Sequence, residues 1–234
     1  MSRSNRKALL AALAPVALAL SFGVGSASAD TYDFTLNVSN LASPPYTGPY
    51  VAVDVNRTSP TTATITFTSL TNGGYIYLMG DGSSAAVNVN ATSWTLGAIT
   101  GSNSQTGFTP GPYSNGGSGN ADGFGSFNQA INSFDGFTHS STQISFGLTD
   151  TSGTWASAAN VLTPNAAGNI AAAHIFACAT ACNAANGAAA TGYASVVPIP
   201  AAAWLFVSGL IGLIGIALSS SLRKSPKLTR KYGP

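Results

Sequence analysis

Glutamate is absent from the chain, and no lysine occurs between Lys7 and Lys224. Of the nine basic residues only Arg57 lies in the middle of the 234-residue sequence. Arg3, Arg6 and Lys7 open it, and Arg223, Lys224, Lys227, Arg230 and Lys231 close it. The seven acidic residues are all aspartates, and all fall in that middle: Asp30, Asp33, Asp54, Asp81, Asp122, Asp135 and Asp150. A formal net charge of +2 therefore conceals two basic ends around an acidic centre. Such a centre offers no basic face to a phosphate backbone, which argues against nucleic-acid binding. Catalytic side chains are scarce too. There are two histidines, His139 and His174, and no G-x-S-x-G nucleophile turn. A Ser-His-Asp triad drawn from His139, Asp135 or Asp150 and one of many serines has no spacing to support it. Nor do the aspartates show the paired arrangement a glycosidase needs. The expectation is a non-enzyme without cofactor or metal.

The two ends carry recognisable apolar segments. The basic start precedes an uncharged stretch over residues 8–20, broken by Pro15 and shorter than the ~20 residues of an ordinary membrane span. Ala27-Ser28-Ala29 then has the A-x-A form accepted by signal peptidase, which predicts a signal peptide over 1–29 and cleavage before Asp30. The competing reading is an uncleaved N-terminal anchor. No cysteine follows the stretch, which argues against a lipoprotein. At the other end, residues 201–218 form an uncharged run that would reach ~27 Å as a helix, close to the ~30 Å hydrocarbon core. Trp204 suits the interface at its outer end, and the basic residues from Arg223 on suit the cytoplasmic side. Gly209, Gly212 and Gly215 would permit close helix contact. A transmembrane helix is expected over 201–222.

Val197-Pro198-Ile199-Pro200, then three alanines, Trp204-Leu205-Phe206, Ser208-Gly209-Leu210, Gly212-Leu213 and the basic end with Arg223 and Lys224, resembles the PEP-CTERM sorting signal. This chain has Ile199 where that family usually has glutamate, and a longer, looser basic tail. The resemblance covers residues 198–234 and implies an address. An exosortase-type membrane enzyme would process the tail after a transient stay in the inner membrane. The protein would end in the cell envelope, at the cell surface or in the extracellular matrix. Pro198 and Pro200 lack a backbone donor and resist helix, keeping an extended peptide accessible just outside the bilayer.

Residues 30–182 are expected to form an all-β ectodomain, an antiparallel sandwich or jelly roll. Phe34, Leu36 and Val38, Ala63, Ile65 and Phe67, Val87, Val89 and Ala91, and Ile144, Phe146 and Leu148 each alternate with small or polar residues. That is the period of a strand with one buried face. Asn72-Gly73-Gly74, Gly80-Asp81-Gly82 and Ser152-Gly153 read as turns. The glycine-rich stretch 101–125 reads as an exposed loop, 127–134 as a short helix, and 183–197 as a flexible stalk.

Cys178 and Cys182 are the only cysteines, and in an exported chain they predict a short-loop disulfide. Were the segment helical, His174, Cys178 and Cys182 would instead share a face that could hold a transition metal. Asp81 and Asp122, set among glycines and asparagines, are either turn residues or loop calcium ligands. Residues 151–163 and 173–176 resemble a segment found in a subset of PEP-CTERM ectodomains, a resemblance that brings no activity with it. Trp155 there is expected as a core plug, or alternatively as a sugar-stacking platform. Three functions remain in play. The first is a non-enzymatic surface or matrix protein associated with exopolysaccharide or biofilm. The second is a carbohydrate-binding module stacking glycans on Tyr75, Tyr77, Trp94 or Trp155, and the third a secreted envelope hydrolase.

Overall fold

The computed structural model describes residues 29–196. They form thirteen strands in two antiparallel sheets, with three short 3-10 turns and, among the described residues, no α-helix. The strands are β1 (Asp30–Leu36), β2 (Val38–Ser39), β3 (Val51–Arg57), β4 (Thr62–Ser69), β5 (Thr71–Asn72), β6 (Tyr75–Met79), β7 (Asp81–Val87), β8 (Trp94–Ser102), β9 (Ser114–Ala121), β10 (Gly125–Ser133), β11 (Gln143–Asp150), β12 (Ala171–Ala179) and β13 (Ala190–Ser195). One sheet runs β1-β3-β4-β11-β8. The other runs β2-β13-β12-β7-β10-β9, with β6 also paired to β12 and β5 to β6. No described helix is long and apolar enough to cross a membrane. The predicted signal peptide, the sorting motif from Val197 and the transmembrane helix lie outside the described residues.

Period-two patterning builds the first sheet. Val51, Val53 and Val55 of β3, Ala63, Ile65 and Phe67 of β4, and Ile144, Phe146 and Leu148 of β11 all point into one core. The opposite faces carry Asp54, Asn56 and a row of threonines. Facing them from the second sheet are Tyr77, Met79, Val87, Ile131, Ala173 and Ile175. The result is a sandwich-like body with a shared interior. Strand β12 differs, because every residue from Ala171 to Cys178 except His174 is buried. Its alanines lie between that interior and smaller clusters on the sheet's outer side, around Phe127 and around Phe176. Asn72 and Tyr75 pair across Gly73-Gly74, both at positive φ, so this predicted turn is a two-residue hairpin.

Several sequence expectations are corrected. The supposed loop over 101–125 contains β9, and the supposed helix over 127–134 is strand β10. The supposed stalk over 183–197 holds the 3-10 turn Ala184–Asn186 and then β13, whose Ala194 and Ser195 are fully buried between β2 and β12. The folded unit therefore extends through Ser195. Gly80-Asp81-Gly82 interrupts one long strand rather than reversing it: β6 and β7 both pair with β12 on either side of Gly80. There the chain passes so close to the Phe176 ring and Ser140 that a Cβ on Gly80 would lie 2.9 Å from the ring. Strand β7 stops at Val87, and Val89 makes only an isolated bridge to Leu162.

Candidate functional site

The four predicted stacking aromatics do not form a platform. Trp155 and Tyr77 are buried, at 2% and 0% exposure, and cannot present a ring face to a ligand. The Trp155 indole N–H donates to the Asn90 carbonyl (2.8 Å), so Trp155 is the core plug of the two alternatives. Tyr77 packs edge-on against Tyr50, and its hydroxyl donates to the Thr47 carbonyl at 3.0 Å. Tyr75 is half-buried against Tyr46. Trp94 is half-buried as well, with its indole N–H donating to Gln129 Oε1 (3.0 Å).

Trp155 instead supports a polar groove. Beyond Val87 the alternation continues with only the Val89–Leu162 bridge as backbone pairing: Val89 turns inward, and Asn88, Asn90 and Thr92 line an open depression of about 530 Å³. Side chains reinforce the short backbone pairing in which the Asn90 N–H donates to the Val161 carbonyl (2.9 Å) and the Thr163 N–H to the Asn88 carbonyl (2.9 Å). Asn128 accepts from the Val89 N–H (2.7 Å) and donates back to its carbonyl (3.0 Å). The Asn88 amide donates to the Thr163 carbonyl (3.1 Å), and the Asn90 amide to the Asn160 carbonyl (2.9 Å). The far wall is the turn after β11. One oxygen of Asp150, Oδ1, accepts from the Ser152 N–H (2.8 Å), the Ser152 hydroxyl (2.9 Å) and the Gly153 N–H (2.9 Å). The Ser152 hydroxyl in turn accepts from the N–H groups of Thr92 (3.2 Å) and Ser93 (3.1 Å), tying the two walls together. Desolvation pushes the Asp150 carboxyl up, but the Ser152 and Gly153 bonds more than offset it, leaving it below the ordinary carboxylate range and charged at neutral pH.

The remaining candidates are distributed elsewhere. Cys178 and Cys182 are joined as a disulfide, which removes both from the alternative metal set. His174 and Cys178 lie on a strand, where four residues span ~13 Å, so no helical ligand face forms. His174 holds the Gly80 carbonyl through Nδ1 (2.9 Å) and the Thr191 hydroxyl through Nε2 (2.8 Å). His139 Nδ1 bonds the Gly111 carbonyl (2.5 Å), a contact with no carboxylate in it. Asp81 opens β7 at positive φ, and Asp122 sits in the turn between β9 and β10. Asp33 and Asp54 face each other across β1 and β3 beside a shallow depression. Desolvation, then the hydrogen bond and charge of Asp33, raise the Asp54 carboxyl. Asp30, the first residue after the predicted cleavage point, pairs with Arg57 (2.6 Å) and accepts from the Ala158 N–H (2.7 Å). The Ala158 bond, with help from Arg57, holds its carboxyl low.

What fold and site together define is an all-β domain with a charge-poor polar groove at the end of its sheets. No protein-family model matches this chain, and no curated protein or solved structure matches it.

Proposed function

We propose that this chain is an exported, non-enzymatic protein of the cell surface or extracellular matrix, delivered alongside exopolysaccharide and sorted by an exosortase-type signal. The observation that carries this reading is the order of parts after β13: Val197-Pro198-Ile199-Pro200, an uncharged run, and a basic end. Strand β13 ends at Ser195, two residues short of Val197, and two prolines cannot extend a ladder, so the motif follows the sheet with almost no spacer. The N-terminal side supports export in the same way. Removal of 1–29 by signal peptidase leaves Asp30 and its bonds to Arg57 and Ala158 intact. We read the two sheets as a jelly-roll-like ectodomain carried between these signals.

Intact mass and fractionation of the protein from its own host test the proposal. A chain starting at Asp30 and ending near Pro198, found at the surface or in the matrix, is expected. Replacing Pro198 and Pro200 with alanine should hold the full-length precursor, still bearing Arg223 and Lys224, in the inner membrane. Normal release of that variant would reduce the tail to a plain anchor.

A second reading, a carbohydrate-binding module, is favoured by the polar groove. For the third, a hydrolase, the groove supplies Asp150 alone where the usual glycosidase mechanism needs two carboxylates.

A further inference from the structure

We propose that the groove between residues 88–92 and the Asp150 turn binds a neutral, hydroxyl-rich glycan segment through hydrogen bonds, without ring stacking. The inference rests on the carbohydrate-binding reading and changes where and how that binding occurs.

The lining decides the ligand class by exclusion. No cation lies among the groove residues, so a phosphate, sulfate or uronate would meet only the Asp150 charge. Asp150 is the one carboxylate there, and its Oδ1 is already taken by three donors, which leaves a single carboxylate oxygen and too little negative charge to hold a calcium ion tightly. Aromatic side chains are missing from the lining, and only Val89 and Ala91 among its side chains are larger than glycine and wholly apolar. A lipid or aromatic ligand would find no wall. What fits amides, hydroxyls and one fixed carboxylate is a ligand whose edge both donates and accepts, as sugar hydroxyls do. The volume of about 530 Å³ falls within the ~300–1,000 Å³ usual for ligand sites.

The polar groups are also held in place before any ligand arrives. Asp150 is 6% exposed, and while Oδ1 is fixed by its own turn, Oδ2 makes no hydrogen bond among the described residues. An ionised acceptor of this kind makes shorter and stronger bonds to hydroxyl donors than a neutral one. Asn88 and Asn90 spend their amide N–H groups on backbone carbonyls, which orients each side chain and leaves its carbonyl oxygen for a ligand. Trp155 fixes the Asn90 backbone from below. The Thr92 and Thr154 hydroxyls complete the rim. Little side-chain freedom remains to be lost on binding, which compensates for the missing stacking surface.

The test uses the full-length chain in a detergent without a sugar headgroup. A panel of neutral oligosaccharides, acidic oligosaccharides and calcium is titrated by calorimetry. At least one neutral oligosaccharide should bind, and Asp150→Asn, which retains Oδ1 for the turn, should weaken it about tenfold. The shape-conserving double variant Thr92→Val/Thr154→Val should weaken it similarly while keeping the wild-type melting temperature, which guards against misfolding of the first variant. Neutral binding unchanged in both variants would overturn the groove while sparing the carbohydrate-binding reading. Absence of binding across the neutral panel would overturn both. Preference for acidic oligosaccharides, or calcium binding abolished in Asp150→Asn, would overturn the ligand class.

Discussion

Cys178 and Cys182 are four residues apart, so their disulfide closes a very small loop at the end of β12. Loop-closure entropy for so few residues corresponds to about 2 kcal/mol, well below that for a long loop. Cys178→Ala/Cys182→Ala should therefore lower the unfolding free energy by about that amount, and reductant should shift the wild type to match. Urea titration with and without reductant measures both. His174 sets a second residue-level expectation. Burial lowers its pKa, against smaller raising effects from the Gly80 carbonyl and Asp81. A folded value below the unfolded value means the unfolded chain takes up the proton first. Its contribution to stability is complete above ~6.5 and is lost as pH falls through the folded pKa. The melting temperature should decline on acidification through that window, and His174→Gln should flatten the decline. An equal slope in the variant would assign the effect to other groups.

Among the elements, those with one face on the core were legible from spacing alone. β1, β4 and β11 appear in the sequence as alternation because water lies on one side of them and the interior on the other. β9 was hidden by its glycines, which look like loop chemistry. Gly117 takes a positive φ (58°) in open space, whereas at Gly116 and Gly119 the strand runs too close to its neighbours for side chains. A Cβ on Gly119 would lie 2.6 Å from both the Ala130 Cβ and the Ser83 hydroxyl, and one on Gly116 2.7 Å from the Asn132 amide. β10 resembles a helix in sequence because Phe127, Ala130, Ile131 and Phe134 have helical spacing. Register shifts on either side of Ala130 break the strand's alternation and produce that pattern. Gly119→Ala should cost about 1–3 kcal/mol through overpacking, although alanine is tolerated in most strands. A thermal melt of that variant indistinguishable from wild type would mean the β9–β10 contact is looser than described.

For the whole molecule, the all-β class with antiparallel sheets is legible in the sequence, while the C-terminal end of the folded unit is not. The end at 183–197 was misjudged because an alanine- and glycine-rich strand has no apolar rhythm of its own. β13 is buried by what covers it, β2 on one edge and β12 on the other. The groove was only half visible. The asparagines alternating with Val87, Val89 and Ala91 read as a strand pattern, but nothing local says that the pairing narrows to one bridge and leaves their side chains lining a depression. Asp150 stands out in the sequence only as a conceivable triad member, whereas its partners in the structure, Ser152 and Gly153, are neighbours in a turn. Trp155, expected first as a core plug, is one, and its indole N–H also supports the groove from beneath through the Asn90 carbonyl.

The Arg57 side chain, bonded to Asp30 and to the Trp155 carbonyl and only 10% exposed, also bears on proteolysis. From Asp30 to residue 196 it is the sole position at which a trypsin-like protease can cut, since no lysine accompanies it. It lies at the end of β3, paired on both edges of that strand. A protease must wait for the strand to open before it can bind the chain, so digestion should follow the opening equilibrium. The domain over residues 30–196 should remain a single intact band through prolonged trypsin exposure under native conditions, and should give one cut, at Arg57, once urea opens the sheet.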